Sequence, residues 1–210
     1  MLAYQVGDFD LGEAYMMKLE ENMRRTAPGP TIPHTAIAMM IPMVARIVGT
    51  SDRFHTAEAA AEAVLSSPST PLYTTRARIG LALMAVQRAE VAAATEQFSA
   101  LEPQRGTMLT ALGFVVSADH LLGLLSVTMG NLDQAVAHFE HALAFCRKAG
   151  YRPELAWTCC DYADMLTERN AEGDGAKAMS LLDQSLATSS ELGMRPLMER
   201  VLSRREILGA

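Results

Sequence analysis

The sequence has few aromatic residues and few cysteines, and each scarcity excludes a class of fold. Only 6% of the 210 residues are aromatic, whereas 50% are apolar. This balance favours helices over sheets, because unbranched side chains keep their rotamers in a helix and strands prefer β-branched and aromatic residues. Cys146, Cys159 and Cys160 have no CxxC spacing, which argues against a zinc site. Their odd number argues against a disulfide framework and fits a reducing cytoplasm.

The sequence also lacks a basic block, a secretory signal and a clear membrane span. Its formal net charge of −6 argues against binding to nucleic acid. The first ten residues are acidic rather than basic, unlike a signal peptide. The longest apolar stretch, 108–130, carries Asp119 and His120 in its middle. We therefore expect a cytoplasmic protein with no membrane partner, in which this stretch is a helix buried among other helices.

Regular amphipathic helices are present instead, and the clearest is GNLDQAVAHFEHALAFCRKAG at 130–150. Asn131 is expected to cap it with its side chain, and Gln134 follows at capping-box spacing. Apolar residues then recur at steps of three and four, and Gly150 can end the helix in the left-handed conformation. The wide apolar stripe predicts that the helix packs on at least one neighbour.

Similar helices recur along the chain. Equivalent small residues stand at Ala57, Ala94, Ala135 and Ala178, with spacings of 37, 41 and 43 residues. A period in this range with two helices per unit is typical of stacked helical hairpins. We expect no strand, and the predicted helices span about 10–25, 34–48, 53–66, 72–88, 90–102, 108–129, 131–148, 154–169, 175–191 and 196–207.

The segment LLGLLSVTMGNLDQAVAHFEHAL resembles the tetratricopeptide repeat (TPR). It has the large-small pair on the first helix, and on the second a small residue, a bulky one four positions later and a further small one. The resemblance implies an all-α fold, a TPR-like right-handed α-solenoid of about ten helices, forming one domain over 1–210. Its predicted hairpins are 1–25 (partial), 34–66, 72–102, 108–148 and 154–191, followed by a capping helix at 196–207.

The last third, about 137–194, has a second resemblance. It is similar to the C-terminal helical region of bacterial signalling ATPases, including LuxR-type and MalT-like regulators and cyclase-fused ATPases. The similarity rests on Gly150, Leu155-Ala156, Asp161-Tyr162-Ala163, Gly173-Asp174 and Leu181-Leu182-Asp183. The chain has no phosphate loop, cyclase motif or basic helix-turn-helix. The resemblance therefore implies a regulatory module at the end of a larger protein.

The two ends of the chain differ in pattern. The start reads as the second half of a hairpin, so Leu11, Tyr15, Met16 and Leu19 lack a partner helix, and we expect a homodimer through this helix. The last helix resembles a terminal cap. Leu197, Val201, Leu202, Ile207 and Leu208 are predicted to point inward, and Arg195, Arg200, Arg204 and Arg205 outward or flanking.

The function that this fold implies is non-catalytic binding of a protein or peptide in the concave groove, or regulatory sensing there. First-helix side chains line that face. Trp157 is either a binding residue, since Trp is frequent at hot spots, or core packing between repeats. The exposed inner residues are predicted to be Arg46, Arg76, Leu83, His120, Leu124, Trp157, Cys160, Asp161 and Asp164.

Three alternatives stay open at this point. The groove could hold a small-molecule effector, if it forms an apolar pocket of roughly a few hundred Å3. A hydrolase could use Cys160 with His120 and either Asp161 or Asp164, although no glycine elbow accompanies them. His138 and His141 share a helix face, but no third metal ligand is evident. We expect neither a metal nor a cofactor.

Overall fold

The helices begin and end mostly at residues suited to capping. The side chains of Thr31, Thr70 and Ser117 each accept a hydrogen bond from a backbone N–H in the helix that follows. Gly150 ends its helix with φ 74°, as predicted. The computed structural model describes residues 1–111 and 114–209. Its helices are α1 (Leu2–Val6), α2 (Phe9–Arg24), α3 (Ile32–Val48), α4 (Phe54–Leu65), α5 (Pro71–Gln87), α6 (Val91–Leu101), α7 (Ala118–Thr128), α8 (Leu132–Ala149), α9 (Arg152–Arg169), α10 (Asp174–Glu191) and α11 (Arg195–Gly209).

The fold is thus almost entirely helical in the described residues, as predicted, but several local predictions are wrong. Helix α1 precedes the first predicted helix, which was expected to begin at about residue 10. Asn131 occupies the cap position of α8, but its side chain makes no capping hydrogen bond. Within the described residues, no helix combines the length and the apolar character that crossing a bilayer requires.

The predicted helix at 108–129 is wrong over its first half. After a 3₁₀ turn at Glu102–Gln104, β1 (Met108–Ala111) and β2 (Phe114–Ser117) form an antiparallel hairpin. Leu109 of β1 pairs with Val116 of β2, and both side chains are buried in the core. The β-branched Val115 and Val116 favour a strand over a helix. Helix α7 begins only after this hairpin.

Consecutive helices pack against each other as hairpins. The pairs α3–α4, α5–α6, α7–α8 and α9–α10 are all in contact, and so are α3 with α5 and α8 with α9. The four predicted small residues, Ala57, Ala94, Ala135 and Ala178, are all fully buried. On α7, a Cβ at Gly123 would lie 3.3 Å from the Phe139 ring of α8. The small residues therefore stand where helices approach closely.

The two ends of the chain meet. Helix α1 contacts α2, α3 and α11, and α11 also contacts α3, α9 and α10. Met16 is therefore buried and Leu19 half-buried, which contradicts the expectation of a bare apolar face on α2, while Leu11 and Tyr15 stay exposed. In α11, Val201 is buried as predicted.

Candidate functional site

A buried cluster of charged residues lies where α3, α7, α9 and α11 meet. His120 stands in the first turn of α7, after the capping Ser117. Glu154 and Asp161 are seven residues apart on α9, a spacing of about two turns that puts both carboxylates on one face. Arg46 comes from the last turn of α3. These four elements bring together side chains that are far apart in the sequence.

His120 bridges the two carboxylates of α9. Its Nδ1 lies 2.8 Å from Glu154 Oε1, and its Nε2 lies 2.8 Å from Asp161 Oδ2. Burial disfavours the charged ring, but the two carboxylates outweigh that effect, so the pKa of His120 is raised. Both ring nitrogens can donate hydrogen bonds to these acceptors only if both carry a proton. The arrangement therefore holds an imidazolium between two carboxylates.

Asp161 binds three cationic side chains. Its carboxylate accepts hydrogen bonds from Arg46 and His120, and from Arg200 of α11 at 3.2 Å. Burial tends to raise the pKa of Asp161. Arg46 and the other two cationic partners outweigh this effect, so the pKa of Asp161 is well below its usual range. Arg200 also binds Asp164 at 3.2 Å. Asp161 is thus ionised, and the positive charges of its three partners balance its negative charge.

Trp157 packs between the two arginines. The Cζ atoms of Arg46 and Arg200 lie 4.5 Å and 5.7 Å from the centre of its ring. Such distances allow cation–π attraction. The indole Nε1 donates to Gln5 Oε1 of α1 at 3.0 Å. The tryptophan therefore connects α3, α9 and α11 to the N-terminal helix.

Two cavities border this cluster. The first, which we call the groove pocket, has a volume of about 290 Å3. The second, which we call the α1 pocket, has a volume of about 270 Å3. The groove pocket is lined by residues that include Arg46, Leu83, Val86, Leu124, Asp161 and Arg200. The α1 pocket is lined by residues that include Gln5, Val6, Val115, Glu154, Trp157 and Met194.

The structure brings together some of the nine residues that were predicted to be exposed on the concave face. It also shows that most of the nine are buried. Arg46, Leu83, Leu124 and Asp161 line the groove pocket. The other five are not among its lining residues: Arg76, His120, Trp157, Cys160 and Asp164. Because α11 and α1 lie across this face, five of the nine residues are buried rather than exposed. These five are Leu83, His120, Trp157, Cys160 and Asp161. The others, Arg46, Arg76, Leu124 and Asp164, are intermediate.

The predicted catalytic set is not assembled as a nucleophile and base. Both ring nitrogens of His120 are directed at carboxylates, and Cys160 is fully buried. Burial and the nearby Asp161 raise the pKa of the Cys160 thiol to about 12. A nucleophilic cysteine needs the opposite shift.

Two groups of potential metal ligands are also occupied by other partners. Ligand atoms of Cys160, Asp161 and Asp164 lie within 4.8 Å of one another. The two carboxylates bind arginines, however, which disfavours an additional cation there. His138 is buried, with Nδ1 3.0 Å from Asp119 Oδ1.

Sequence reasoning missed three residues of the cluster: Gln5, Glu154 and Arg200. The seven-residue spacing from Glu154 to Asp161 was a signal that could have been used. Arg200 was predicted to face outward or flank the cap, but the α9 carboxylates draw it inward. Leu202 and Ile207 were predicted to face inward, and both are exposed. Nothing local in the sequence indicated the pairing of Gln5 with Trp157.

Comparison with known proteins yields no match to this chain among protein-family models, curated proteins or solved structures.

Proposed function

We propose that the chain is a non-catalytic binding module, a TPR-like right-handed α-solenoid whose groove pocket binds an acidic group of a partner protein or peptide. The burial of Ala57, Ala94, Ala135 and Ala178 at hairpin contacts supports the repeat architecture. The resemblance of the last third supports a regulatory role within a bacterial signalling ATPase. The three free cysteines fit the reducing cytoplasm.

One observation carries the proposal: the groove pocket holds two arginines and one aspartate. Arg46 and Arg200 each direct one nitrogen at Asp161, which leaves other guanidinium N–H groups available. Arg200 Nε is buried and has no hydrogen-bond partner among the described residues. This nitrogen has no surface open to the pocket, and Arg200 is already paired with Asp164. A carboxylate that entered the pocket would accept from the other N–H groups of Arg46 and Arg200, which line it.

The rest of the pocket wall defines the remainder of the ligand. Leu83, Val86 and Leu124 give it an apolar side next to the arginines. An acidic residue followed by a leucine-like side chain would satisfy both parts. Such pairing of one anchor with an apolar contact is typical of peptide recognition.

A small-molecule effector is the second candidate, and the pocket volume favours it. About 290 Å3 is near the lower end of ligand pockets, which are roughly 300–1,000 Å3. A small apolar acid would meet the same two arginines. The two candidates share one site and differ in how far the ligand extends along the surface.

The non-catalytic part of the proposal rests on Cys160 and His120. The thiol is buried with its pKa raised to about 12. The imidazole is held as a cation by Glu154 and Asp161, so it has no free nitrogen to accept a proton. These two states oppose a cysteine hydrolase.

The test blocks the groove pocket without touching its charges. Val86→Trp fills the pocket, and Val91→Trp makes the same change at an exposed position outside it. The probes are a labelled short peptide rich in Glu and Leu, and its counterpart with Gln for Glu. By fluorescence anisotropy we expect the acidic peptide to bind better, and Val86→Trp to weaken it about tenfold or more.

Three outcomes separate the candidates. Equal binding of both peptides, or equal binding by Val86→Trp and Val91→Trp, would reject the groove pocket as a peptide site. Saturable binding of hexanoate that Val86→Trp abolishes, without any peptide binding, would favour the small-molecule effector. Binding of neither probe would reject an acid-binding groove.

A further inference from the structure

The α1 pocket is separate from the groove pocket and has a different chemistry. It is formed by α1, β2, the start of α9 and the segment between α10 and α11. Val6, Val115, Leu192 and Met194 make most of its wall apolar. Among its eleven described lining residues, the one charged side chain is Glu154. An apolar cavity with a single carboxylate selects ligands that combine an apolar body with one hydrogen-bond donor or positive charge.

Hydrogen bonds from the described residues reach one of the two carboxylate oxygens of Glu154. Its Oε1 accepts from the Ser117 backbone N–H and from His120, each at 2.8 Å. No hydrogen bond from the described residues reaches its Oε2. The residue is only 4% exposed and lies on the wall of the α1 pocket. A carboxylate on the wall of an apolar cavity favours a ligand that donates a hydrogen bond to it.

The surroundings of Glu154 indicate the charge of a ligand that would bind there. Asp161, in the same cluster, binds three cationic side chains, whereas Glu154 binds only His120. The Met1 amino group forms no ion pair among the described residues, and burial lowers its pKa. A second cation at Glu154 would thus repeat the pattern found at Asp161. At low effective dielectric, a charge-assisted bond to an ammonium group is stronger than a neutral one.

We propose that the α1 pocket binds a small monocationic amine, whose ammonium group donates to Glu154 Oε2 and whose apolar body packs against Val6, Leu192 and Met194. The side-chain amide of Gln5 and the ring of Trp157 border the same space. This site does not depend on ligand binding in the groove pocket.

Trp157 allows the site to be tested directly, because it lines the pocket and is the single tryptophan of the chain. The probes are phenethylamine and the neutral phenethyl alcohol, which have nearly the same shape. We expect phenethylamine to change the Trp157 fluorescence saturably and the alcohol to bind about tenfold or more weakly. Equal affinities, or no saturable change with the amine, would overturn the proposal.

Two variants and a matched control tie the effect to the pocket. Glu154→Gln keeps the shape and removes the charge, so amine affinity should fall about tenfold or more. Glu168→Gln removes the same charge from an exposed position at the other end of α9 and should bind like wild type. Full amine affinity in Glu154→Gln would overturn the assignment.

Val6→Phe covers the case in which Glu154→Gln does not fold. It fills the pocket from α1 and leaves Glu154 and His120 unchanged. Circular dichroism checks that the variant is folded. Loss of the saturable fluorescence change in folded Val6→Phe supports the α1 pocket, and wild-type affinity in that variant contradicts it.

Discussion

His120 is the residue at which the buried charges converge, and its raised pKa makes the cluster sensitive to pH. It faces Glu154, Asp161 and Arg46, and the two carboxylates hold the ring as a cation. Because the pKa of His120 is raised in the folded state, its protonation stabilises the fold. This contribution is fully present at pH values below the ordinary histidine pKa of about 6.5. That contribution is lost as pH rises through the folded value. The fold should therefore weaken on the alkaline side.

We predict that His120→Gln lowers the free energy of unfolding by about 3–5 kcal/mol at pH 6, because it breaks a buried ion pair. The gap to wild type should not widen toward pH 9, and it should narrow wherever the wild-type imidazole loses its proton. Urea denaturation at both pH values measures the gap. The exposed His55→Gln should stay within about 0.5 kcal/mol of wild type. A gap that widens toward pH 9 would contradict the imidazolium assignment.

The cysteines give a second prediction at this scale. Cys146, Cys159 and Cys160 are all buried, and burial raises the pKa of each thiol to about 12. Since the thiolate is the reactive form, iodoacetamide should alkylate none of them quickly in the native protein at neutral pH. Intact mass should show triple alkylation only in denaturant. Rapid stoichiometric modification of native Cys160 would reopen the hydrolase alternative.

At the scale of elements, the contact between α3 and α5 depends on a proline and a glycine. Pro42 stands inside α3 and has no N–H, so the Ala38 carbonyl lacks its usual donor four residues later. Gly80 of α5 packs against that carbonyl. A Cβ on Gly80 would overlap the Ala38 oxygen and lie 2.8 Å from its carbonyl carbon. Both are backbone atoms, so the clash can be relieved only by moving a helix.

We predict that Gly80→Ala destabilises the protein by about 3 kcal/mol, because the helices must separate. Gly175→Ala is the matched control, since it is also helical and nothing lies within 4 Å of its added Cβ. That change should stabilise by about 0.5 kcal/mol through backbone entropy. Thermal unfolding compares the two. If Gly80→Ala is as stable as Gly175→Ala, the close α3–α5 approach is wrong.

The sequence pattern predicted elements well where periodicity is long and poorly where segments are short. Helices α8 and α9 begin and end within two residues of expectation, because their apolar stripes extend over several turns. Helix α1 has only five residues, too few for a periodic signal. The sequence pattern did not reveal strands β1 and β2, because their apolar residues run directly into those of α7.

At the scale of the whole molecule, the site was only partly predictable because its pairs are remote in sequence. Register on the first helices identified Arg46, Leu83, Leu124 and Asp161 as neighbours on one face, and they share a pocket. Burial of that face depends on α1 and α11, which meet only in the folded chain. The hydrogen bond from Trp157 to Gln5 spans 152 positions. No local spacing rule reaches that far.

The meeting of the two ends also changes the basis for self-association. Met16 and Leu19 of α2 are covered within the chain, so any dimer contact on α2 has to use the residues that remain exposed. Leu11 and Tyr15 lie one helical turn apart and are 45% and 60% exposed. Apolar side chains exposed together on a helix are candidates for association. We keep the prediction of a homodimer through α2 and restrict it to these two side chains.

Light scattering at tens of micromolar should therefore show a dimer for the wild type and a monomer for Leu11→Lys combined with Tyr15→Lys. The two lysines add positive charge at the centre of the proposed contact, and like charges brought together across an interface repel. Leu72→Lys combined with Val91→Lys changes two similarly exposed positions on other helices and should leave the dimer intact. A monomeric wild type would show that closure by α1 and α11 already covers enough of the apolar surface. Equal dimerisation of all three proteins would move the contact away from α2.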